Sequence, residues 1–182
     1  FDKLHEHRFA LLRKAYERSG ISANPDYQNF IRDNGWWLHY SALFLALPPF
    51  FHDHPFLAWP ADILMPLVFA LEHYNRELYF DIEFQKYMQF KFNQQWSRLK
   101  AYANGKHIQS VGDIPIYVSP DGADVWAHPE LFQLDAHNAP TAIAGCPPDA
   151  FAKDGQAWGN PLYNWNFHRA TDYAWWVSRM WY

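Results

Sequence analysis

The chain has 182 residues, a formal charge of −4 and a single cysteine, Cys146. That length holds one domain with a sizeable core. One cysteine excludes an internal disulfide framework. A mild negative charge without a basic stripe argues against a nucleic-acid partner. The longest apolar stretches are interrupted by Pro48-Pro49 and by Pro66, short of the ~20 apolar residues a membrane span requires, so no membrane partner is expected.

Taken in chain order, Leu4, Arg8, Leu11, Leu12 and Ala15 recur at helical spacing, with Gly20 placed to close the helix. Asn24-Pro25 reads as an N-cap with proline at the first helical position, starting a short helix through Tyr27, Phe30 and Ile31. Trp36 to Leu47 reads as a further apolar helix stopped by Pro48-Pro49. Residues 50–60, rich in Pro, His and aromatics, read as a loop, and Ala61 to about Asn75 as a helix with Pro66 near its start or kinking it. A longer helix is predicted from Glu77 to Ala103, stopped by Asn104-Gly105.

The pattern then changes. Ile108 to Val118 is rich in β-branched residues and reads as a strand after a helix. Leu131–Leu134 and Thr141–Ala144 flank an Asp135–Pro140 turn and suggest a hairpin. Gly145 to Pro161 reads as loop, and a helix resumes from Trp165 to the end. The sequence opens on Phe1 and closes on Met180-Trp181-Tyr182 inside a predicted helix, so both ends are read as truncated.

Aromatic residues make up 20% of the chain, with ten Trp, eleven Tyr and fifteen Phe. Most are expected to fill a core. Some could instead line a sugar groove, since an aromatic face stacks on the C–H face of a pyranose.

Two stretches are candidates for chemistry. In Gly112-Asp113-Ile114-Pro115-Ile116-Tyr117-Val118, a parallel strand would place Asp113 near its C-terminal end. That end is the catalytic face of a (β/α)8 barrel, where a carboxylate reaches substrate. The plainer reading is an aspartate satisfied by backbone N–H groups in a turn. In Gly145–Phe151 and Gly155–Tyr163, prolines stiffen the loop and glycines give it sharp corners. Asp149, Gln156 and Asn160 supply hydrogen-bonding groups, while Phe151 and Trp158 supply apolar faces. Such a set suits a neutral polyhydroxylated ligand. The plainer reading is an ordered loop whose Trp plugs the core.

Gly112–Val118, Asp121–Trp126, Pro129–Phe132, Gly145–Phe151, Gly155–Tyr163 and Tyr173–Trp176 with Arg179 resemble amylomaltase, the 4-α-glucanotransferase or disproportionating enzyme of glycoside hydrolase family 77. Gln94-Gln95-Trp96 with Leu99-Lys100 also fits. The resemblance runs in register from about Trp36 to Tyr182 and is weaker before Asn24.

The resemblance implies an α/β fold, an incomplete (β/α)8 barrel with a mostly helical N-terminal portion. Within one truncated catalytic domain, residues 1–105 would supply helical elements, and residues 106–182 a barrel strand, an acceptor-side loop and a helix. The implied activity is transfer of α-1,4-glucan segments between maltooligosaccharides with retention of configuration. Glucose would serve as acceptor, no cofactor or metal would be needed, and the location would be cytoplasmic. Asp113 matches the aspartate of the family's first signature region, beside the scissile bond. Asp149, Gln156, Trp158 and Asn160 match the loop that overhangs the acceptor side, where excluding water favours transfer over hydrolysis.

Departures from the pattern are informative. Many members carry Tyr where this loop has Ala150, so a ring that would close over substrate is missing, although other members carry a small residue there. Cys146 stands where Val or Ala is usual. A retaining enzyme needs a carboxylate nucleophile and a carboxylic acid about 5–5.5 Å apart. The family's nucleophile lies in an Arg-x-Asp-His-Phe-Arg string that does not occur in these residues. It is expected after Tyr182, so no catalytic residue is assigned here.

His52-Asp53-His54 with His39 or His73 lacks a third ligand of fixed offset, so no metal site is assigned. Nothing orients Cys146 as a nucleophile. Trp36-Trp37 and Trp175-Trp176 fall on predicted helices, where packing is the expected role. The competing function is a non-catalytic α-glucan-binding or structural module that uses the aromatic loop alone.

Overall fold

The structure, a computed structural model, describes residues 2–180, with side chains from residue 7 onward. Trp181 and Tyr182, the last two residues of the predicted C-terminal helix, lie outside the described residues. The described chain is mostly helical, with one small two-stranded sheet. It divides into two compact units, Phe1–Phe50 with Glu72–Val111 and Phe51–Leu71 with Gly112–Tyr182.

In the first unit, α1 (Asp2–Ser19) ends at Gly20, whose φ of 55° takes the left-handed turn that closes the helix. Asn24 caps α2 (Pro25–Phe50), its Oδ1 accepting from the backbone N–H groups of Asp26 at 2.9 Å and Tyr27 at 3.2 Å. The two helices predicted here are one continuous helix. Asn34 donates to the Phe30 carbonyl one turn back at 2.8 Å, a bond compatible with helix. Phe30 and Leu38, on either side of Gly35, are both buried in one core, so packing carries the helix through the glycine. Pro48-Pro49 lie in its last turn.

The helix expected from Ala61 to about Asn75, with Pro66 near its start or kinking it, is instead broken at Pro66. Helix α3 (Ala61–Leu64) stops before it and α4 (Val68–Glu77) restarts after it, because proline lacks the N–H that continuation requires. Helix α5 (Tyr79–Asn104) matches the predicted long helix and packs against α2. Tyr27, Phe30 and Leu38 of α2 meet Phe84, Tyr87 and Phe90 of α5, with Tyr16 of α1 at the margin. Arg13 binds Asp81 at 2.5 Å and lies over the Phe84 ring at 4.6 Å.

The second unit contains α3, a short helix α6 (Ala123–Ala127), strands β1 (Ile143–Cys146) and β2 (Gln156–Pro161), and helices α7 (Trp165–Ala170) and α8 (Ala174–Met180). Its centre is Trp126, fully buried, with Nε1 donating to the Ile63 carbonyl at 2.7 Å and the ring edge-on to Trp59.

Three sequence expectations change in this unit. Residues 108–118 form no strand, because a strand exists through its partners and none lies alongside among the described residues. The predicted hairpin is reduced to one bridge, Leu134 to Pro140, with Thr141 N–H donating to Gln133 O at 2.9 Å. Strand β1 pairs instead with β2, inside the stretch read as loop. The predicted C-terminal helix is two helices, separated where Asp172 and Tyr173 take φ of 50° and 56°.

The β1–β2 pair is antiparallel, with Gly145 opposite Ala157 and Cys146 opposite Gln156. Two glycines permit this approach. A Cβ on Gly145 would stand 2.3 Å from the Gln156 carbonyl oxygen, and Gly155 turns the chain into β2 at φ +72°.

Candidate functional site

The candidate residues fall on the turn before β2, on β2 itself and on the neighbouring segment 112–118. Asp149 organises the turn. Its Oδ1 accepts from the N–H groups of Phe151 at 2.8 Å and Ala152 at 2.7 Å, while its own N–H donates to Ala152 O at 3.0 Å. This is the local turn-forming role available to any aspartate, and it leaves Oδ2 as an acceptor. Phe151 is 96% exposed, and Ala150 beside it is also exposed.

On β2, Gln156 and Trp158 lie two apart and share one face, while Gly159 at φ +80° and a register irregularity opposite Ile143–Gly145 interrupt the alternation before Asn160. Gln156 Oε1 accepts from the Trp158 indole N–H at 2.9 Å, which fixes the ring and leaves the Gln156 amide NH2 as a donor. Trp158 is 48% exposed, with its centroid 6.0 Å from that of Tyr117. Tyr117 in turn stacks on Tyr163, centroids 6.2 Å apart and planes 9° from parallel. The result is a short row of rings, Trp158, Tyr117 and Tyr163, running from an exposed end to a buried one.

Sequence reasoning identified Trp158 but missed Tyr117, which lay in the segment quoted for Asp113. A ring four residues from a candidate carboxylate was the available signal. Asp113 is exposed, at the start of that segment. Asn160 Nδ2 donates to the Val118 carbonyl at 2.7 Å, tying the segment to β2.

Behind the row lies an aromatic cluster. Tyr163 meets Trp175 and Trp176 at 5.7 and 4.9 Å between centroids, and His168 packs among Trp165, Trp175 and Trp176. His168 is wholly buried. Its Nε2 lies 3.1 Å from the Leu131 carbonyl and therefore carries the proton, so Nδ1 is a buried acceptor with no partner among the described residues. Burial holds this imidazole below the ordinary histidine value of 6.5, against an opposing contribution from the Leu131 bond. Burial likewise raises the Tyr163 hydroxyl, with Arg179 acting in the opposite direction.

Among the described residues, no group of three or more His, Cys, Asp or Glu side chains could hold a metal ion. No helix among them is long and apolar enough to cross a membrane. Cys146 is a free thiol at the end of β1.

The structure thus brings together a half-exposed indole held by the Gln156 amide and the Tyr117 ring beside it, while Asp149 lies in the turn before β2 and Asp113 at the start of the adjoining segment. The comparisons with known proteins agree on the family. The model of the 4-alpha-glucanotransferase family, glycoside hydrolase family 77, matches residues 1–182, and the chain belongs to that family. A 4-alpha-glucanotransferase of Streptococcus pneumoniae serotype 4 is 41% identical over 182 residues, covering 99% of this chain and 36% of the relative. The enzyme of that name from Thermus thermophilus is 36% identical, over 97% of this chain and 36% of its own length. Among solved structures, an amylomaltase from Streptococcus agalactiae in complex with acarbose superposes with a TM-score of 0.93 at 39% identity. That match covers 98% of this chain and 37% of the solved one. The chain thus spans about a third of the length of the relatives it matches.

Proposed function

We propose that this chain forms the acceptor-side glucan-binding part of a 4-α-glucanotransferase. The enzyme would move α-1,4-glucan segments between maltooligosaccharides with retention of configuration, with glucose among its acceptors. The observation that carries the reading is the exposed Trp158, fixed by Gln156 and set beside Tyr117, in a chain of this family. An aromatic face of that kind suits the C–H face of a pyranose. Gln156, Asp149 and Asp113 are proposed to bind hydroxyls around it, and Asn160 to hold the adjoining segment in place.

The fold proposed for the whole is a (β/α)8 barrel. Residues 1–105 would supply helical elements of one catalytic domain, and 106–182 the segment, loop and helices at the catalytic face. The Arg-x-Asp-His-Phe-Arg string is not among these 182 residues, so no nucleophile is assigned within them. Cytoplasm is the proposed location.

Incubation with maltotriose tests this division of labour. The 182-residue chain is expected to bind maltoheptaose saturably and to release no maltose or maltotetraose from maltotriose. Redistribution above buffer would show that the carboxylates are here after all, and absence of saturable binding would defeat the glucan-binding reading.

A further inference from the structure

Segment 112–118 carries two of the groups proposed to meet glucan, Asp113 and Tyr117, yet it belongs to no helix or sheet. Among the described residues, none of its backbone groups joins a backbone–backbone hydrogen bond. Three side chains hold it instead. Arg179 Nη2 donates to the Pro115 carbonyl at 3.0 Å, Tyr163 Oη to the Ile116 carbonyl at 2.9 Å and Asn160 Nδ2 to the Val118 carbonyl at 2.7 Å. These donors come from α8, from the residue pair after β2 and from β2 itself.

Two of the three donors are fixed in their turn. The Arg179 guanidinium lies 4.5 Å above the Trp175 ring and 5.4 Å from that of Trp176. Tyr163 is buried, pressed by Trp176, Trp175 and Phe132. An arginine stacked on rings presents its fork in one orientation, which a flexible lysine does not.

We propose that Arg179 and Tyr163 are positioning residues for the transfer reaction. Together with Asn160 they form a three-point clamp on the carbonyls of 115–118, and so set where Asp113 and Tyr117 meet the sugar. The clamp acts through backbone carbonyls, so neither residue need touch substrate. This rests on the glucan-binding reading above and names the residues that hold that site in shape.

The test uses two measurements on the 182-residue chain and its Arg179→Met, Arg179→Lys, Tyr163→Phe and Thr171→Val variants. Thr171 also donates a side-chain bond to backbone carbonyls, of Phe167 and His168, but touches nothing in the segment, and serves as control. The first measurement, without ligand, is the 15N order parameters of Ile116, Tyr117 and Val118. They are expected near the rigid value of about 0.85 in the parent and the control, and below about 0.6 in Arg179→Met. Arg179→Lys should recover part of the loss, and Tyr163→Phe should lie between.

The second is maltoheptaose affinity. Loss of one clamp bond is expected to weaken it about three- to tenfold, with Thr171→Val binding as the parent does. Unchanged order parameters in both Arg179→Met and Tyr163→Phe would overturn the clamp, whatever happens to binding. Affinity that falls equally in the control, in step with the melting temperature, would overturn the positioning role. A parent chain that binds no glucan would defeat the functional reading while the order parameters still decide the clamp.

Discussion

Gly145→Ala gives a quantitative test of how the site is supported. The added Cβ would stand 2.3 Å from Gln156 O, where ordinary contact begins at 3.4 Å. The obstacle is backbone, not the movable end of a side chain, so the two strands must separate by roughly 1 Å. Inter-strand N–H···O distances of about 2.9 Å would then approach ~3.9 Å, outside bonding range. Overpacking of about 1–3 kcal/mol combined with one or two lost hydrogen bonds of about 0.5–1.5 kcal/mol each gives a destabilisation of about 1.5–6 kcal/mol. Strand β2 carries Gln156, Trp158 and Asn160, so maltoheptaose binding should weaken by about tenfold or more as the indole shifts. Urea titration followed by ligand titration of the same protein measures both. Gly35→Ala is the counter-case: a Cβ there meets nothing within 4 Å, and in mid-helix it should stabilise by about 0.5–1 kcal/mol. A Gly145→Ala chain as stable and as tight-binding as its parent would refute the close-approach argument.

Two further outcomes follow from the second unit's buried groups. His168 protonates near 6.5 when unfolded but lower when folded, so between those values the unfolded state binds more protons. Stability is full above about pH 6.5 and falls as pH drops through the folded value; Gln at 168 should flatten this loss in urea midpoints taken between pH 7.5 and 5. His39, lowered chiefly by burial and then by Lys86, adds a loss of the same sign that persists in the variant. Trp126→Phe removes the 2.7 Å bond to Ile63 O and leaves a void in a fully buried position. It should cost about 2–4 kcal/mol in urea unfolding, with less than 1 kcal/mol indicating that this indole does not hold the unit together.

What was legible in the sequence was what local chemistry determines. Gly20, the Asn24 cap and Gly105 mark helix ends that the structure reproduces, because capping depends on a few adjacent residues. Continuity of α2 through Gly35 was not legible, since its reason is packing of Phe30 and Leu38 with residues about fifty positions away on α5. Strand β2 was hidden by Gly155 before it and by its own Gly159 and Pro161, which look like loop until β1 lies beside it at a distance that Gly145 allows.

The candidate residues show the same division. Trp158 and Gln156 are two apart and, once β2 is known, their pairing follows from strand alternation. The clamp was not legible, because Arg179 lies 64 residues from Pro115 and meets a carbonyl, which leaves no mark in side-chain pattern. Tyr117 went unnoticed because its importance comes from Trp158 and Tyr163 on either side.

Trp158 is proposed to form part of a glucan-binding surface. Titration of 15N-labelled chain with maltoheptaose, following the indole N–H signals, tests it directly. The Trp158 signal should move with saturation, reporting a changed Gln156 bond, while the buried Trp126 signal stays in place. A Trp158 signal that does not move at any ligand concentration, or moves only with all ten indoles together, would contradict the account.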